Sequence, residues 1–292
     1  MTIDLVQLLG GLLLSGLVGW AAYQRRALTR NGVVGAVLVG TLIFGFGGWT
    51  WGLLLIAFFV SSTALSRYRE MEKEGLTEKF AKGHQRDIGQ VLANGAWGAV
   101  LAVTYAFTPR PLLWAAFVGA MASVTADTWA TELGVLSRGQ PRLITTGEPV
   151  PVGTSGAVSV LGTAATVTGG LFISLAIFLL HELDSLATGN RLRWIDLWMV
   201  AVGVVGGLAG SLFDSLLGAT VQGIYYCDRC AKETEKTRHV CGQVTRLVRG
   251  HRWLSNDMVN LLSSIVGSVV AAAVAWFGWQ AGCISLLGQR VR

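Results

Sequence analysis

Seven stretches of the chain run for 16 residues or more without a charged side chain: Leu5–Gln24, Asn31–Ser66, Ile88–Pro109, Pro111–Ala126, Pro149–Leu180, Leu197–Phe213 and Met258–Gln289. A helix needs about 20 mostly apolar residues to cross a hydrocarbon core of about 30 Å, so windows of that size read as single membrane spans. The second window, at 36 residues, is too long for one helix. In its middle stands "GFGGWTWG" (Gly45–Gly52), a glycine-rich turn with tryptophans suited to the membrane interface. Splitting the window there gives eight spans.

The basic residues test that split. With eight spans, 18 of the 23 Lys and Arg fall on one side, around Arg25–Arg30, Arg67–Arg86, Arg138–Arg142 and Arg229–Arg252. Arg110, Arg191, Arg193, Arg290 and Arg292 fall on the other. A single span in the long window would even the partition to 15 against 8. Positive charge accumulates on the cytoplasmic side of membrane proteins, so eight spans are favoured, with both termini outside and the two long basic loops in the cytoplasm.

Composition agrees with this reading. Only 14% of residues are charged, against about 25% in an ordinary soluble domain. Mean hydropathy is +0.54, and there are 38 Gly and 11 Trp. The start, "MTIDLVQLLGG", lacks the basic region and cleavage site of a signal peptide and reads as a retained first helix. The net charge of +6 then reports topology rather than nucleic-acid binding. The expected fold is an all-α, polytopic membrane helix bundle, residues 1–292 forming one integral membrane domain with a cytoplasmic insertion at 223–256.

Polar residues within the apolar windows gather on the cytoplasmic face, where nucleotides and Mg²⁺ are available. Asp127 is expected to close the fifth span and Asp214 the seventh. A carboxylate at a helix C-terminus meets the negative end of the helix dipole, and two such carboxylates on one side call for a cation between them. Ionisable groups in membrane spans are functional candidates by default, although an interfacial carboxylate in headgroup water would need no ligand. Asn94 opens the fourth span and Asn260 the eighth, and a buried amide there needs a neighbouring helix or a ligand. Ser255, Asn256 and Asp257 precede an apolar run as a helix N-cap would; Asp257 is also a candidate metal carboxylate. If the helix continues past Asp127, Glu132 points about 140° away from it.

The loop "RLITTGEPVPVGTSGAVSVLG" (Arg142–Gly162) places Gly153, Thr154 and Ser155 ahead of the sixth span. A glycine-rich helix start offers free N–H groups to an anion, with Arg142 and Thr145 in reach to assist. No GxxxxGK[ST] loop exists in the chain. In the basic loop before the fourth span, Lys82, His84 and Arg86 either contact phosphate or only set topology. Finally, "CDRCAKETEKTRHVC" presents Cys227, Cys230, His239 and Cys241, four soft ligands in one loop that suit a closed tetrahedral Zn²⁺ site. A disulfide is disfavoured in a reducing cytosol. Cys283 reads as a small core residue.

Together these stretches resemble an integral membrane family that includes the plant plastid phytyl-phosphate kinases and transmembrane protein nineteen. The likeness rests on "QVLANG", "ADTWATELGVLS", "PRLITT" leading to "VPVGTSGAVSVLG", and "GSLFDSLLGATVQ" with "NDMVNLL", in that order over residues 30–285. A looser likeness joins the CTP-dependent dolichol and phytol kinases through Asp127-x-x-Ala130-x-x-x-Gly134 before Gly153–Thr154. The resemblance implies phosphoryl transfer from a nucleoside triphosphate, plausibly CTP, to an isoprenyl monophosphate; the residue chemistry is compatible with this, with Mg²⁺ and with Asp127, Asp214 and Asn94 expected in the reaction centre. A transporter or flippase of a lipid phosphate or small anion is the competing reading. The expected location is a bacterial or archaeal inner membrane, with the active face in the cytoplasm.

Overall fold

The computed structural model describes residues 4–68, 85–189 and 197–281. Lys82, His84 and Cys283 lie outside these residues. Among the described residues eight long helices follow one another: α1 (Leu5–Gln24), α2 (Arg30–Leu42), α3 (Trp49–Arg67), α4 (Ile88–Phe107), α5 (Pro111–Gly134), α6 (Val160–Ala187), α7 (Trp198–Thr220) and α8 (Asn256–Gln280). Seven are long and apolar enough to cross a membrane, counting α2 together with the π-turn Ile43–Gly47. The other, α4, has 20 residues and carries Gln90 and Asn94 among its apolar ones.

The glycine-rich break stands where the sequence places it. The π-turn Ile43–Gly47 ends at Gly48, whose φ of 86° is open to glycine and costly for other residues. Two carbonyls of that turn, Phe44 and Gly45, are met by the Gln7 amide of α1 at 3.0 and 2.9 Å. A polar side chain in the first helix is thereby satisfied inside the bundle, as a lipid-immersed backbone requires.

α5 is the central helix. Every residue from Trp114 to Ala126 is buried, which is what an apolar helix with no polar face needs. Helices α6, α7 and α8 close around it, and small residues let them approach. A Cβ on Gly206 of α7 would lie 2.8 Å from the Gly267 carbonyl of α8, and one on Gly267 would lie 2.7 Å from the Ser123 Cβ of α5. Ser123 Oγ also donates to the Ser263 carbonyl of α8 at 3.1 Å. Membrane helices lack a hydrophobic drive toward each other, so such close packing holds them together. Trp51 of α3 stacks on Phe117 of α5 at 4.1 Å and fills the end of the bundle opposite the site described below.

Two expectations about helix ends are corrected. Asp127 and Asp214 do not close their spans, because α5 runs on to Gly134 and α7 to Thr220. Helix backbone bonding is indifferent to a carboxylate that faces a polar cavity, so a charge in an apolar run does not end the helix. Likewise Gly153–Ser155 is not the start of α6. The helix begins at Val160, capped by Ser159, whose hydroxyl accepts from the Gly162 N–H.

The stretch before α6 is a shaped loop, held by the two-residue ladder β1 (Arg142–Leu143) with β2 (Ala157–Val158). After α7 the chain forms a three-stranded antiparallel sheet, ordered β4 (Lys232–Thr234), β3 (Ile224–Cys227), β5 (Arg246–Arg249). This Cys/His loop returns the chain to Ser255, which caps α8.

Candidate functional site

At the end of the bundle where α4, α6 and α8 begin and α5 and α7 finish lies a cavity of about 350 Å³. Each helix presents one face to it. α5 offers Asp127, Ala130, Thr131 and Gly134, spaced i, i+3, i+4, i+7, and α6 offers Ser159, Gly162, Thr163 and Thr166 with the same spacing. α4 contributes Gln90 and Asn94, one turn apart, α7 contributes Asp214, and α8 contributes Asn256, Asp257 and Asn260.

Among the described residues the lining holds five carboxylates, those of Asp127, Glu132, Asp214, Glu235 and Asp257, against one guanidinium, that of Arg86. Asp214 lies close enough to Asp127 and Glu235 to feel both charges, with the Ser263 hydroxyl beside it, and one of its oxygens, Oδ2, is buried without a hydrogen-bond partner among the described residues. A buried, unsatisfied carboxylate oxygen among like charges is costly unless a cation joins it. Asp127 and Asp214 therefore form a donor set of the type that holds Mg²⁺, hard oxygen ligands with room left for substrate oxygens.

Arg86 is positioned by its backbone. Its N–H donates to the Ala27 carbonyl at 3.0 Å, and its own carbonyl accepts from the Thr29 N–H at 3.0 Å. Gly32 allows this clamp, since a Cβ there would strike the Arg86 carbonyl. Asp87 then caps α4 in a reciprocal box with Gln90. The guanidinium lies over the Phe58 and Phe59 rings at 5.6 and 5.5 Å, near Glu132, and its Nη1 is buried without an acceptor among the described residues. Glu132 takes a hydrogen bond of 2.6 Å from Ser66 of α3. α5 is continuous here, so Glu132 points away from Asp127 and toward α3, with its charge close to Arg86.

Arg86, Gln90 and Asn94 also border a second, apolar slot of about 80 Å³ between α1, α2, α3 and α4, lined by residues such as Ala36, Val39, Phe44 and Ile56. One cation and two amides thus stand between a polar cavity and an apolar one.

Several sequence candidates meet here: Asp127, Asp214, Asn94, Arg86, Gly153, Thr154, Ser155, Asn256, Asp257 and Asn260 all line the cavity. Arg142 and Thr145 do not. The β1–β2 ladder turns them outward, and the Arg142 guanidinium donates to the Gly147 carbonyl at 2.7 Å. The cap of α8 is Ser255 rather than Asn256 or Asp257. Gln222 and Glu235 were not singled out from the sequence. Ser155 Oγ donates to Gln222 Oε1 at 3.0 Å, and Gln222 Nε2 donates to Glu235 Oε1 at 2.8 Å. This chain of bonds ties the Gly153–Ser155 loop to the Cys/His loop. Gly156 makes the same junction tight, because a Cβ there would strike the backbone of Ala219.

In the Cys/His loop the ligand atoms of Cys227, Cys230, His239 and Cys241 lie within 4.8 Å of one another. The Gln243 backbone N–H and then the His239 ring, both directed at the Cys241 sulfur, lower that thiol to about 6.

The sequence profile of the integral membrane proteins DUF92 matches residues 13–268. Protein PGR of Arabidopsis thaliana is 31% identical over 280 residues, covering 91% of this chain and 95% of that protein. An uncharacterized membrane protein of Methanocaldococcus jannaschii is 31% identical over 275 residues, covering 92% and 95%. Protein VTE6, chloroplastic, of Arabidopsis thaliana is 29% identical over 257 residues, covering 86% and 66%. No solved structure matches the chain.

Proposed function

The chain belongs to the integral membrane family DUF92, and on that footing we propose that it is a membrane kinase of isoprenyl monophosphates, using a nucleoside triphosphate such as CTP. One observation carries this reading: Arg86, whose buried Nη1 has no acceptor among the described residues, stands at the join of an apolar slot and a carboxylate-lined polar cavity. An amphiphile with a phosphate head and a hydrocarbon tail fits that join. The Arg86 guanidinium and the Gln90 and Asn94 amides bind its phosphate, and the tail leads away between α1–α4.

The nucleotide occupies the polar cavity. Its triphosphate is a polyanion entering a site of five carboxylates, so it enters with metal. Mg²⁺ held by Asp127 and Asp214 would neutralise the triphosphate and the charge that spreads over the transferring group. The acceptor phosphate is already an anion and needs no strong base. Its oxygen attacks the γ-phosphorus, the bond to the β–γ bridging oxygen breaks, and the products are the isoprenyl diphosphate and the nucleoside diphosphate. The residues supply approach and alignment: Arg86 fixes the acceptor, while Ser155 and Thr154 face the nucleotide from the loop.

Transport is the rival. The polar lining lies at one end of the bundle, and the opposite end is packed with Trp51, Phe117, Ile173, Ile177 and Met199, all buried. A reaction on one face fits that asymmetry better than passage through the bundle. The protein similar to this chain that is named VTE6 is chloroplastic, in keeping with the family resemblance drawn from the sequence.

The test is phosphate transfer by purified protein in detergent with Mg²⁺, γ-labelled CTP, ATP, GTP or UTP, and phytyl or geranylgeranyl monophosphate. Labelled diphosphate is expected from the wild type, reduced at least about 100-fold in Asp127→Asn and in Asp214→Asn. Folded protein that makes no product with any nucleotide, yet carries lipid phosphate across liposomes, would overturn the kinase in favour of the transporter.

A further inference from the structure

The 223–256 segment has little apolar core of its own. Val240, Val244 and Val248 are exposed, and its buried apolar side chains are few: Ile224, Tyr225 and Cys227 of the first strand, and Leu254 just before α8. Segments of this size are held by metals or disulfides when burial is insufficient. Here the cysteines are free thiols. Two tight turns bring them together. The β3–β4 hairpin, with Ala231 at φ 50°, carries Cys227 and Cys230, while the turn closed by His239 N–H to the Gln243 carbonyl at 2.9 Å carries His239 and Cys241.

Two of the separations match a coordination shell, and all four ligand atoms lie within 4.8 Å of one another. A tetrahedral Zn²⁺ with Zn–S of about 2.3 Å and Zn–N of about 2.0–2.1 Å places two sulfurs about 3.8 Å apart and a sulfur and nitrogen about 3.6 Å apart. Cys227 Sγ lies 3.6 Å from Cys241 Sγ, and His239 Nδ1 lies 3.4 Å from Cys241 Sγ. A disulfide would need about 2.05 Å. Cys227 and His239 are buried, so the cluster closes inward with four protein ligands and leaves no open position for catalysis.

We propose that Cys227, Cys230, His239 and Cys241 hold one structural Zn²⁺, and that this knuckle fixes the cavity wall through Glu235, Gln222 and Ser155. The link is short. Cys227 ends β3, Gln222 stands just before that strand, and Glu235 follows β4, so pinning the two turns pins Gln222 and Glu235, the pair to which Ser155 is bonded. With the zinc removed, β3 and β4 lose their shared anchor and the Gly153–Ser155 loop loses its partner. The donor set of three thiolates and one imidazole selects zinc over Mg²⁺ or Ca²⁺, which take oxygen ligands.

Two measurements on the full-length protein test this without nucleotide or lipid. Elemental analysis should find about one zinc per chain in the wild type and in His239→Cys, and less than about 0.1 in Cys230→Ser. Cobalt added to metal-stripped wild type should give the visible absorption of a tetrahedral thiolate complex. Wild type without zinc that also gives no such absorption, or a disulfide among the three cysteines, overturns the site. If Cys230→Ser fails to fold, the wild-type metal content and cobalt spectrum decide alone. Hydrogen exchange tests the second half: stripping the zinc should speed exchange at 222–226 and at 153–156 while 114–126 stays protected. Unchanged exchange at 153–156 overturns the link to the cavity wall.

Discussion

Asp214 can be separated from a merely structural carboxylate by its response to metal. Its Oδ2 has no partner and sits among like charges, so Asp214→Asn should leave the melting temperature in detergent unchanged or higher when no divalent ion is present. Mg²⁺ at about 100 times its Kd should then stabilise the wild type by about 2.7 kcal/mol, and the variant hardly at all. Equal Mg²⁺ stabilisation of both proteins would remove Asp214 from the proposed metal site. Arg86 allows a second separation. Arg86→Lys keeps the charge but loses the planar group that lies over Phe58 and Phe59. The KM for the lipid phosphate should rise about tenfold, a loss of about 1.4 kcal/mol, with the nucleotide KM changed less than about twofold. A rise confined to the nucleotide would place Arg86 on the other substrate. Asp214 was legible because a carboxylate stands out at the end of an apolar window, and Arg86 because it lies at the end of the basic loop next to the fourth span. Gln222 and Glu235 were not, because in a polar loop nothing in the sequence separates a cavity carboxylate from a solvated one. Arg142 and Thr145 misled for the same reason: the β1–β2 ladder that turns them outward is too short to leave a pattern.

At the scale of elements, the eight helices and the break at Gly48 follow from apolar length and glycine spacing, and the structure keeps them. The helix ends were less legible. A charge-free window stops at its first carboxylate, whereas α5 and α7 continue past theirs because the cavity, not water or lipid, receives the side chain. What composition alone cannot give is which glycines matter. Gly267→Ala pushes a methyl against Ser123 and the Gly206 carbonyl, where three helices meet. Overpacking of this kind costs about 1–3 kcal/mol, and the melting temperature in detergent should fall accordingly. Gly10→Ala and Gly16→Ala on α1 meet nothing within 4 Å, and should hold or raise it through helix propensity, by at most about 1 kcal/mol each. A ranking in the opposite order would mean that the α5–α7–α8 junction is looser than drawn.

For the whole molecule, the two cavities and the dry end of the bundle determine how an amphiphile would lie. On the proposed function the head would be fixed at Arg86, and the tail would enter a slot of about 80 Å³, far too little for a long isoprenoid. Only the tail segment next to the phosphate would then be held by protein, and the remainder would lie among the lipids. Selectivity should therefore sit at the first isoprene unit and fade with distance from the phosphate. Methylenes that enter no pocket give no discrimination, whereas one in a tight pocket changes kcat/KM by about 10–200-fold. Competition assays should find farnesyl and geranylgeranyl phosphate used within about tenfold of each other, since they differ only in the part outside the slot. Ala36→Phe, which fills the slot from α2, should slow both by a similar factor and leave their ratio unchanged. Its effect would fall on the lipid KM more than on the nucleotide KM, because Ala36 lines the apolar cavity alone. A steep preference for one chain length, altered by Ala36→Phe, would mean that the tail follows another path with the protein measuring its full length.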